Sequence, residues 1–177
     1  MAAFQQLTRR VLLGTVIVAV LSTSAIAAAV LYGEASRVSD GDTFTLSSET
    51  RIRLFGIDAP ELNQKCKRDN ACEPCGQISR AALATLAQGD LICEPRGKSY
   101  DRVVARCVVG DKDIALELIK AGHAMVYGQY IKKRDPLRAM YLDAEAKAKK
   151  EKAGIWASEM IPPDQWRRNR ARLECER

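Results

Sequence analysis

The stretch VSDGDTFTLSSETRIRLFGIDAPE, residues 38–61, decides the fold of this chain. Within it, segments 43–46 and 50–57 alternate apolar with polar residues, which is the period of β-strands that bury one face. The turn residues 47–49 separate the two segments, and Pro60 ends the second because proline has no N–H to give to a sheet. The stretch therefore predicts consecutive short strands joined by tight turns.

Charged residues occupy the turns and strands of the same stretch. They are Asp40, Asp42, Arg51, Arg53, Asp58 and Glu61. Two carboxylates brought together from separate turns offer hard oxygen ligands, which favour Ca²⁺ or Mg²⁺ over softer transition metals. Arg53 projects from the strand face opposite Ile52 and Leu54, because side chains alternate along a strand. We therefore interpret the stretch as an array that can hold a hard cation beside a phosphate.

The rest of the chain has the pattern of helices and one hairpin. The spacing of apolar residues predicts helices at 76–87, 113–121 and 137–152, each ended by a nearby glycine. Residues 90–107 predict a β-hairpin centred near Tyr100. The other segments are an irregular connection at 62–75, a short extended piece at 123–127 and a polar tail at 162–177.

All six cysteines follow the N-terminal apolar segment, and their even number favours disulfides in an oxidising compartment. Cys93 and Cys107 lie about equally far from the centre of the predicted hairpin, so we expect them to face each other and form a disulfide. The other four cysteines, which allow three pairings, are Cys66, Cys72, Cys75 and Cys175. Zinc binding through the Cys72–Cys75 pair is the weaker alternative, because the only histidine is His123.

Residues 1–35 have the pattern of an export signal. Two arginines precede an apolar run at 11–21, and Ala25-Ile26-Ala27 resembles a cleavage site. The alternative is an uncleaved membrane anchor, since apolar character continues to Tyr32. We therefore expect an exported protein, periplasmic or secreted, which contacts a membrane only if this segment stays in place.

The remaining length suits one domain. Hydrophobic residues make up 47% of the chain, enough for a single core, and we expect a folded domain at 36–160, a basic tail at 161–177 and a monomer. The formal net charge is +6. A basic exported domain suits a polyanionic partner such as nucleic acid, although solubility alone explains such a charge equally well.

Two motifs, VSDGDT at 38–43 and RLFGIDAPE at 53–61, together resemble the staphylococcal nuclease family. The resemblance continues in order through Tyr100-Asp101-Arg102, LIKAGHA at 118–124 and the segment 144–156. It implies an α+β fold, an OB-fold five-stranded β-barrel with three packed α-helices. It also implies a Ca²⁺-dependent nuclease that hydrolyses DNA and RNA with little sequence preference and leaves 5′-hydroxyl and 3′-phosphate ends.

Carried over by position, the resemblance assigns roles within these motifs. The metal ligands would be the carboxylates of Asp42 and Asp58 and the main-chain carbonyl of Ala59. The catalytic residues would be Arg53, Glu61 and Arg102. The substrate-binding residues would be Lys98, Tyr100 and Tyr130, with Tyr127 as the alternative to Tyr130. Arginine suits a scissile phosphate because its planar fork holds two oxygens, and Glu61 would orient or deprotonate the attacking water.

Asp101 stands where the family commonly has glycine. Aspartate tolerates the left-handed backbone better than most residues, but its charge is able to draw Arg102 away from phosphate, and the sequence leaves open whether it does. This departure leaves open an OB-type nucleic-acid-binding module with impaired catalysis. A separate alternative is a disulfide-stapled envelope protein that uses the fold for protein contacts. In addition, the cysteine-rich segment 66–75 replaces the family's lysine-rich substrate loop, and we expect Arg51 to face solvent.

Overall fold

The structure, a computed structural model, describes residues 29–168 and Leu173. Its strands are β1 (Leu31–Gly33), β2 (Ala35–Val38), β3 (Thr43–Leu46), β4 (Arg51–Leu54), β5 (Ile57–Asp58), β6 (Cys66–Arg68), β7 (Ala71–Glu73), β8 (Leu91–Ser99), β9 (Arg102–Val109), β10 (Lys112–Asp113) and β11 (Met125–Val126). Its helices are α1 (Cys75–Leu86), α2 (Ile114–Lys120), α3 (Pro136–Lys150) and α4 (Pro163–Arg167), with 3₁₀ turns at Gly128–Tyr130 and Gly154–Ala157. Most of the predicted export signal, residues 1–28, and Cys175 lie outside the described residues, whereas residues 31–33 already pair within the sheet.

The fold is the α+β, OB-type arrangement that the sequence predicts. A mixed sheet has the strand order β1-β8-β9-β4-β3-β2, with β10 paired to β9. Strands β4 and β9 run parallel, and the other neighbours in this sheet are antiparallel. One core joins the sheet to the helices, and its fully buried side chains include Phe44, Leu46, Ile52, Leu118 and Tyr141.

The predicted helices are present, and polar caps and glycines set their ends. Asp113 and Asp135 cap α2 and α3, because each side chain accepts a hydrogen bond from a first-turn N–H. Beyond these helices, Gly122 and Gly154 bring two backbone segments together so closely that a Cβ on Gly122 would lie 2.1 Å from the Ala153 carbonyl oxygen. This contact fixes the chain after α2, where β11 pairs with β5.

Three segments differ from the prediction. The connection 62–75 is not irregular throughout, because Asp69 and Asn70 adopt left-handed backbone, with φ of 48° and 64°, and close a two-residue turn between β6 and β7. The predicted strand 50–57 divides into β4 and β5, because the chain turns at Gly56 with a φ of 79°. The polar tail contains α4, which begins with a proline at its first position.

Two disulfides join described cysteines. Cys93 and Cys107 are partners across β8 and β9, as their spacing predicts. Cys66 and Cys75 join β6 to the start of α1, which removes Cys75 as a zinc ligand, and no described cysteine is free. Such disulfides are compatible with an oxidising compartment. In the described part of the chain, no helix has the length and apolar character needed to cross a membrane.

Candidate active site

Two separate turns bring Asp42 and Asp58 together. Asp42 precedes β3 in a turn closed by Asp40, whose side chain accepts the Asp42 N–H at 3.0 Å. Asp58 ends β5, after the turn at Gly56. The Asp42 carboxylate also accepts the N–H of Ala59 at 3.2 Å, so the two turns are hydrogen-bonded directly to each other.

The glycine of the first turn allows α1 to pack against the site. A Cβ on Gly41 would lie 2.1 Å from the Ser79 hydroxyl oxygen and 2.7 Å from the Ala59 Cβ. Ser79 is fully buried and donates to the carbonyl oxygen of His123 at 2.6 Å. The turn that carries Asp42 is therefore held between α1 and the segment after α2.

Arg53 bridges the two carboxylates. Its guanidinium donates to Asp42 Oδ1 at 2.9 Å and to Asp58 Oδ1 at 2.8 Å. Burial raises the pKa of Asp42 to about 7, although the charge of Arg53 opposes this shift. Burial alone would lower the pKa of Arg53, but Asp42 and Asp58 outweigh it and raise that pKa. The carboxylate pair is therefore an environment that favours positive charge.

The carboxylate pair fits a hard divalent cation. Both side chains are 4% exposed, and both converge on one cationic group, the Arg53 guanidinium. Their donor atoms are oxygens, which match Ca²⁺ or Mg²⁺ better than zinc. No three acidic, histidine or cysteine side chains among the described residues form a ready cage, so further ligands would come from other oxygens.

Arg102 lies beside this pair and keeps its charge available. It begins β9 and donates to the hydroxyls of Thr43 at 3.3 Å and Ser99 at 3.4 Å. Asp101 instead forms an ion pair with Arg51, whose hydrogen bond lowers the pKa of the Asp101 carboxyl. Asp101 therefore pairs with Arg51, while Arg102 makes its hydrogen bonds to Thr43 and Ser99, although the charge of Arg102 also contributes to the lowered pKa of Asp101. Arg51, which we expect to face solvent, is half-exposed in this ion pair.

Tyr100, rather than Asp101, is the left-handed residue of this turn. Its φ is 57°. Tyr100 and Asp101 form a two-residue turn between the paired residues Ser99 and Arg102, and such turns favour a positive φ. Its side chain is 95% exposed. The turn therefore presents an aromatic ring next to Arg102 while Asp101 faces β4.

Glu61 is held by a turn built on the buried side chain of Gln64. The Gln64 amide oxygen accepts the Glu61 N–H at 3.1 Å, and the Gln64 N–H donates to the Glu61 carbonyl at 2.7 Å. The Gln64 amide nitrogen donates to the carbonyl of Ile161 at 2.5 Å. Gly76 of α1 packs on the other side, where a Cβ would lie 1.8 Å from the Glu61 carbonyl oxygen. The main chain of Glu61 is thus fixed from two directions.

A cavity of about 530 Å³ opens in front of these groups. Predicted residues that line it are Asp40, Arg53, Glu61, Lys98, Tyr100, Arg102 and Tyr130. Tyr127 lines it as well, with its ring centroid 4.8 Å from that of Tyr130, so both alternative tyrosines lie there. Asp42, Asp58 and Ala59 are buried and do not line it, but Asp42 and Asp58 are hydrogen-bonded to Arg53, which does. Arg96, which the sequence does not single out, adds a cation 5.6 Å from the Phe55 ring centroid.

Arg167 also reaches the cavity, from α4 in the C-terminal tail. It donates two hydrogen bonds to Asp58 and one to Glu61. Burial alone would lower the pKa of Arg167, but these hydrogen bonds raise it above its usual value. The basic composition of the tail was the only signal, and it does not indicate which arginine enters the site.

The fold and the site together define an OB-type domain that gathers carboxylates and arginines in one cavity. A sequence model described as "Staphylococcal nuclease homologue" matches residues 51–158, more than half of the chain. The chain therefore belongs to the staphylococcal nuclease family, as its motifs predict.

Three relatives resemble this chain over most of its length, and two of them are named as endonucleases. An uncharacterized endonuclease of Haemophilus influenzae is 35% identical, over 75% of this chain and 70% of its own length. The succinoglycan biosynthesis protein ExoI of Rhizobium meliloti is 35% identical, over 83% and 76%. The probable endonuclease LCL3 of Scheffersomyces stipitis is 31% identical, over 80% and 74%. The match thus spans most of each protein.

Proposed function

We propose that this protein is an exported, Ca²⁺-dependent nuclease. It hydrolyses phosphodiester bonds of DNA and RNA with little sequence preference and leaves 5′-hydroxyl and 3′-phosphate ends. The observation that carries the proposal is the convergence of buried Asp42 and Asp58 on Arg53, which lines a cavity together with Glu61 and Arg102. The endonuclease names of two of the relatives support it.

The carboxylates of Asp42 and Asp58 and the main-chain carbonyl of Ala59 would hold the cation. Bound there, Ca²⁺ supplies Lewis-acid charge against the phosphoryl oxygens of the substrate. Asp40 supports this arrangement through its hydrogen bond to the Asp42 N–H. The burial of both carboxylates strengthens their interaction with a cation, because little water screens it.

The two arginines hold the scissile phosphate. Arg53 and Arg102 approach the cavity from β4 and β9, so their guanidinium groups can contact different phosphoryl oxygens of one group. Glu61 takes a proton from the attacking water, the new P–O bond forms, and the bond from phosphorus to the 5′ oxygen breaks. The leaving oxygen takes up a proton from solvent water and becomes the 5′-hydroxyl, and the phosphate remains on the 3′ side.

Substrate recognition would use rings and backbone charge instead of base edges. Tyr100, Tyr127 and Tyr130 offer surfaces on which any base can stack, and Lys98 offers a cation to the phosphate backbone. This combination explains weak sequence preference. A nucleic-acid-binding module without catalysis is disfavoured, because Asp101 is ion-paired with Arg51 and the Arg102 guanidinium donates to Thr43 and Ser99 instead.

The test is to incubate the purified protein with DNA and with RNA, in Ca²⁺ and in chelator. Cleavage of both substrates only in Ca²⁺, with product 5′ ends that accept phosphate directly from a polynucleotide kinase, is the expected result. Salt-dependent binding without cleavage would instead indicate a nucleic-acid-binding module. Failure to bind any polynucleotide would indicate a protein that uses the fold for protein contacts.

Two variants assign the chemistry. Glu61→Gln should lower turnover by about 10²–10⁴-fold, the usual contribution of a general base, while Ca²⁺ affinity stays close to that of the wild type. Glu34→Gln is the matched control, since Glu34 is exposed and does not line this cavity. Equal turnover of the Glu61 variant and the control would remove Glu61 from the mechanism.

A further inference from the structure

Arg167 contacts two residues of the site, yet the proposed function gives these contacts no role. Its Nη1 and Nη2 donate to the two oxygens of Asp58, both at 2.9 Å, and Nη1 also donates to Glu61 Oε1 at 2.7 Å. The two-pronged pairing with a carboxylate is the strongest geometry that arginine offers. Arg167 lies 109 residues from Asp58 and beyond the matched family segment.

The segment that carries Arg167 is docked by the cysteine-rich hairpin. Lys67 and Glu159 exchange two backbone hydrogen bonds, at 2.9 Å and 2.8 Å, and the Gln64 side chain donates to the Ile161 carbonyl. Pro163, at the start of α4, is buried. These contacts end four residues before Arg167, whose side chain is 35% exposed. The position of Arg167 is therefore directed by the fold, and its guanidinium borders on solvent, into which it can turn when its contacts are replaced.

The contacts of Arg167 conflict with a cation bound by Asp58. A carboxylate has about four lone-pair positions, and Asp58 already uses three of them, two for Arg167 and one for Arg53. Arg53 contacts only Oδ1 of Asp58, whereas Arg167 contacts both oxygens, so Arg53 alone leaves Oδ2 open to a cation and Arg167 does not. A divalent cation at these oxygens would also repel the Arg167 guanidinium, strongly because Asp58 is buried. The third contact of Arg167 holds Glu61, the proposed base.

We propose that Arg167 competes with the metal: it binds Asp58 and Glu61 when no divalent cation is bound, and Ca²⁺ must displace its guanidinium to reach Asp58. The inference rests on the proposed function in taking Asp42 and Asp58 as metal ligands. Arg167 thereby sets the Ca²⁺ concentration at which the site assembles, and it keeps Asp58 and Glu61 paired below that concentration.

Metal affinity of the full chain tests this inference without any use of turnover. Tb³⁺ luminescence titrations, with Ca²⁺ as competitor, would be run on the wild type, Arg167→Gln, Arg167→Lys and Arg168→Gln. Arg168→Gln is the matched control, since it removes the same charge one residue away and Arg168 makes no hydrogen bond or ion pair with Asp58 or Glu61. Thermal unfolding would confirm that each variant is folded.

We expect Arg167→Gln to bind metal at least about tenfold more tightly than the wild type. In the wild type the metal must break the charged hydrogen bonds of Arg167 to Asp58, whereas the variant lacks them. Arg167→Lys, which keeps the charge but not the fork, should lie between the two. Arg168→Gln should differ from the wild type by less than about threefold, since exposed charges are screened.

The outcomes separate this inference from the proposed function. Metal binding of equal strength in Arg167→Gln and Arg168→Gln would overturn the competition and leave the metal site standing. If Arg167→Gln weakens binding, Arg167 supports the metal site, and the competition is again overturned. If none of the folded variants binds Tb³⁺ or Ca²⁺, the metal role of Asp42 and Asp58 fails, and the competition fails with it.

Discussion

The packing of α1 against the Glu61 main chain gives the sharpest test of how the site is positioned. Gly76→Ala adds one methyl group to the first turn of α1. The added Cβ would lie 1.8 Å from the Glu61 carbonyl oxygen, 2.7 Å from its carbonyl carbon and 2.9 Å from the carbonyl carbon of Leu62, all backbone atoms. No side-chain rotation can relieve these contacts, so either the helix or the Glu61 turn has to shift.

The size of the shift follows from the contact distances. Ordinary van der Waals contact begins at 3.4 Å, so the closest contact is about 1.6 Å too short. Overpacking of this kind costs about 1–3 kcal/mol of unfolding free energy, partly offset by about 1 kcal/mol from the better helix propensity of alanine. A displacement of about 1 Å at a catalytic group can lower turnover about 100-fold. We therefore expect a modest loss of stability and a large loss of kcat.

The assay compares kcat, Ca²⁺ affinity and chemical denaturation in Gly76→Ala and in Gln77→Ala. Gln77 is the next residue of α1 and is exposed, so its replacement changes the helix without pressing on Glu61. Gly76→Ala should lose about 100-fold in kcat with nearly unchanged Ca²⁺ affinity, while Gln77→Ala stays near the wild type. If both variants have wild-type kcat, α1 does not position Glu61 and the reasoning is refuted.

Further predictions concern the β8–β9 turn and the hairpin that carries it. In nuclease assays, Asp101→Asn should keep kcat/KM within about threefold of the wild type, whereas Arg102→Gln should lose at least about 100-fold, as removal of one preorganised donor does. By NMR titration, Arg51→Gln should raise the lowered pKa of Asp101 towards its ordinary 3.8, so that Asp101 becomes protonated at a higher pH. By urea denaturation, replacing Cys93 and Cys107 together with alanine should remove about 3 kcal/mol of unfolding free energy, the value for a loop of this length.

Local patterns predicted most of the fold because they report interactions between neighbours in the chain. Alternation identified β3 and β4, the spacing of apolar residues identified α1, α2 and α3, and spacing about a turn paired Cys93 with Cys107. The β6–β7 hairpin escaped prediction because its strands are charged and cysteine-rich, so the turn at Asp69-Asn70 had no alternating pattern beside it.

Partners that lie far apart in the sequence could not be predicted in the same way. Asp101 is separated from Arg51 by 50 positions, and Arg167 from Asp58 by 109. In each case a charged residue has several possible partners of opposite charge within the same domain. Only the packing of whole elements decides with which one it forms an ion pair. Motif order therefore located the carboxylates and two of the arginines, while it left the third arginine and the fate of Asp101 open.

The two disulfides act on different parts of the molecule. Cys93–Cys107 joins neighbouring strands of the sheet, so it constrains the sheet and not the site directly. Cys66–Cys75 encloses the segment that follows Glu61, and Gly76, the residue after Cys75, is the one that packs against the Glu61 carbonyl. The enclosed hairpin also docks Glu159 through Lys67, ahead of α4. The disulfide-bonded hairpin thus supports both Glu61 and the segment that delivers Arg167, in the place where the family commonly has a substrate loop.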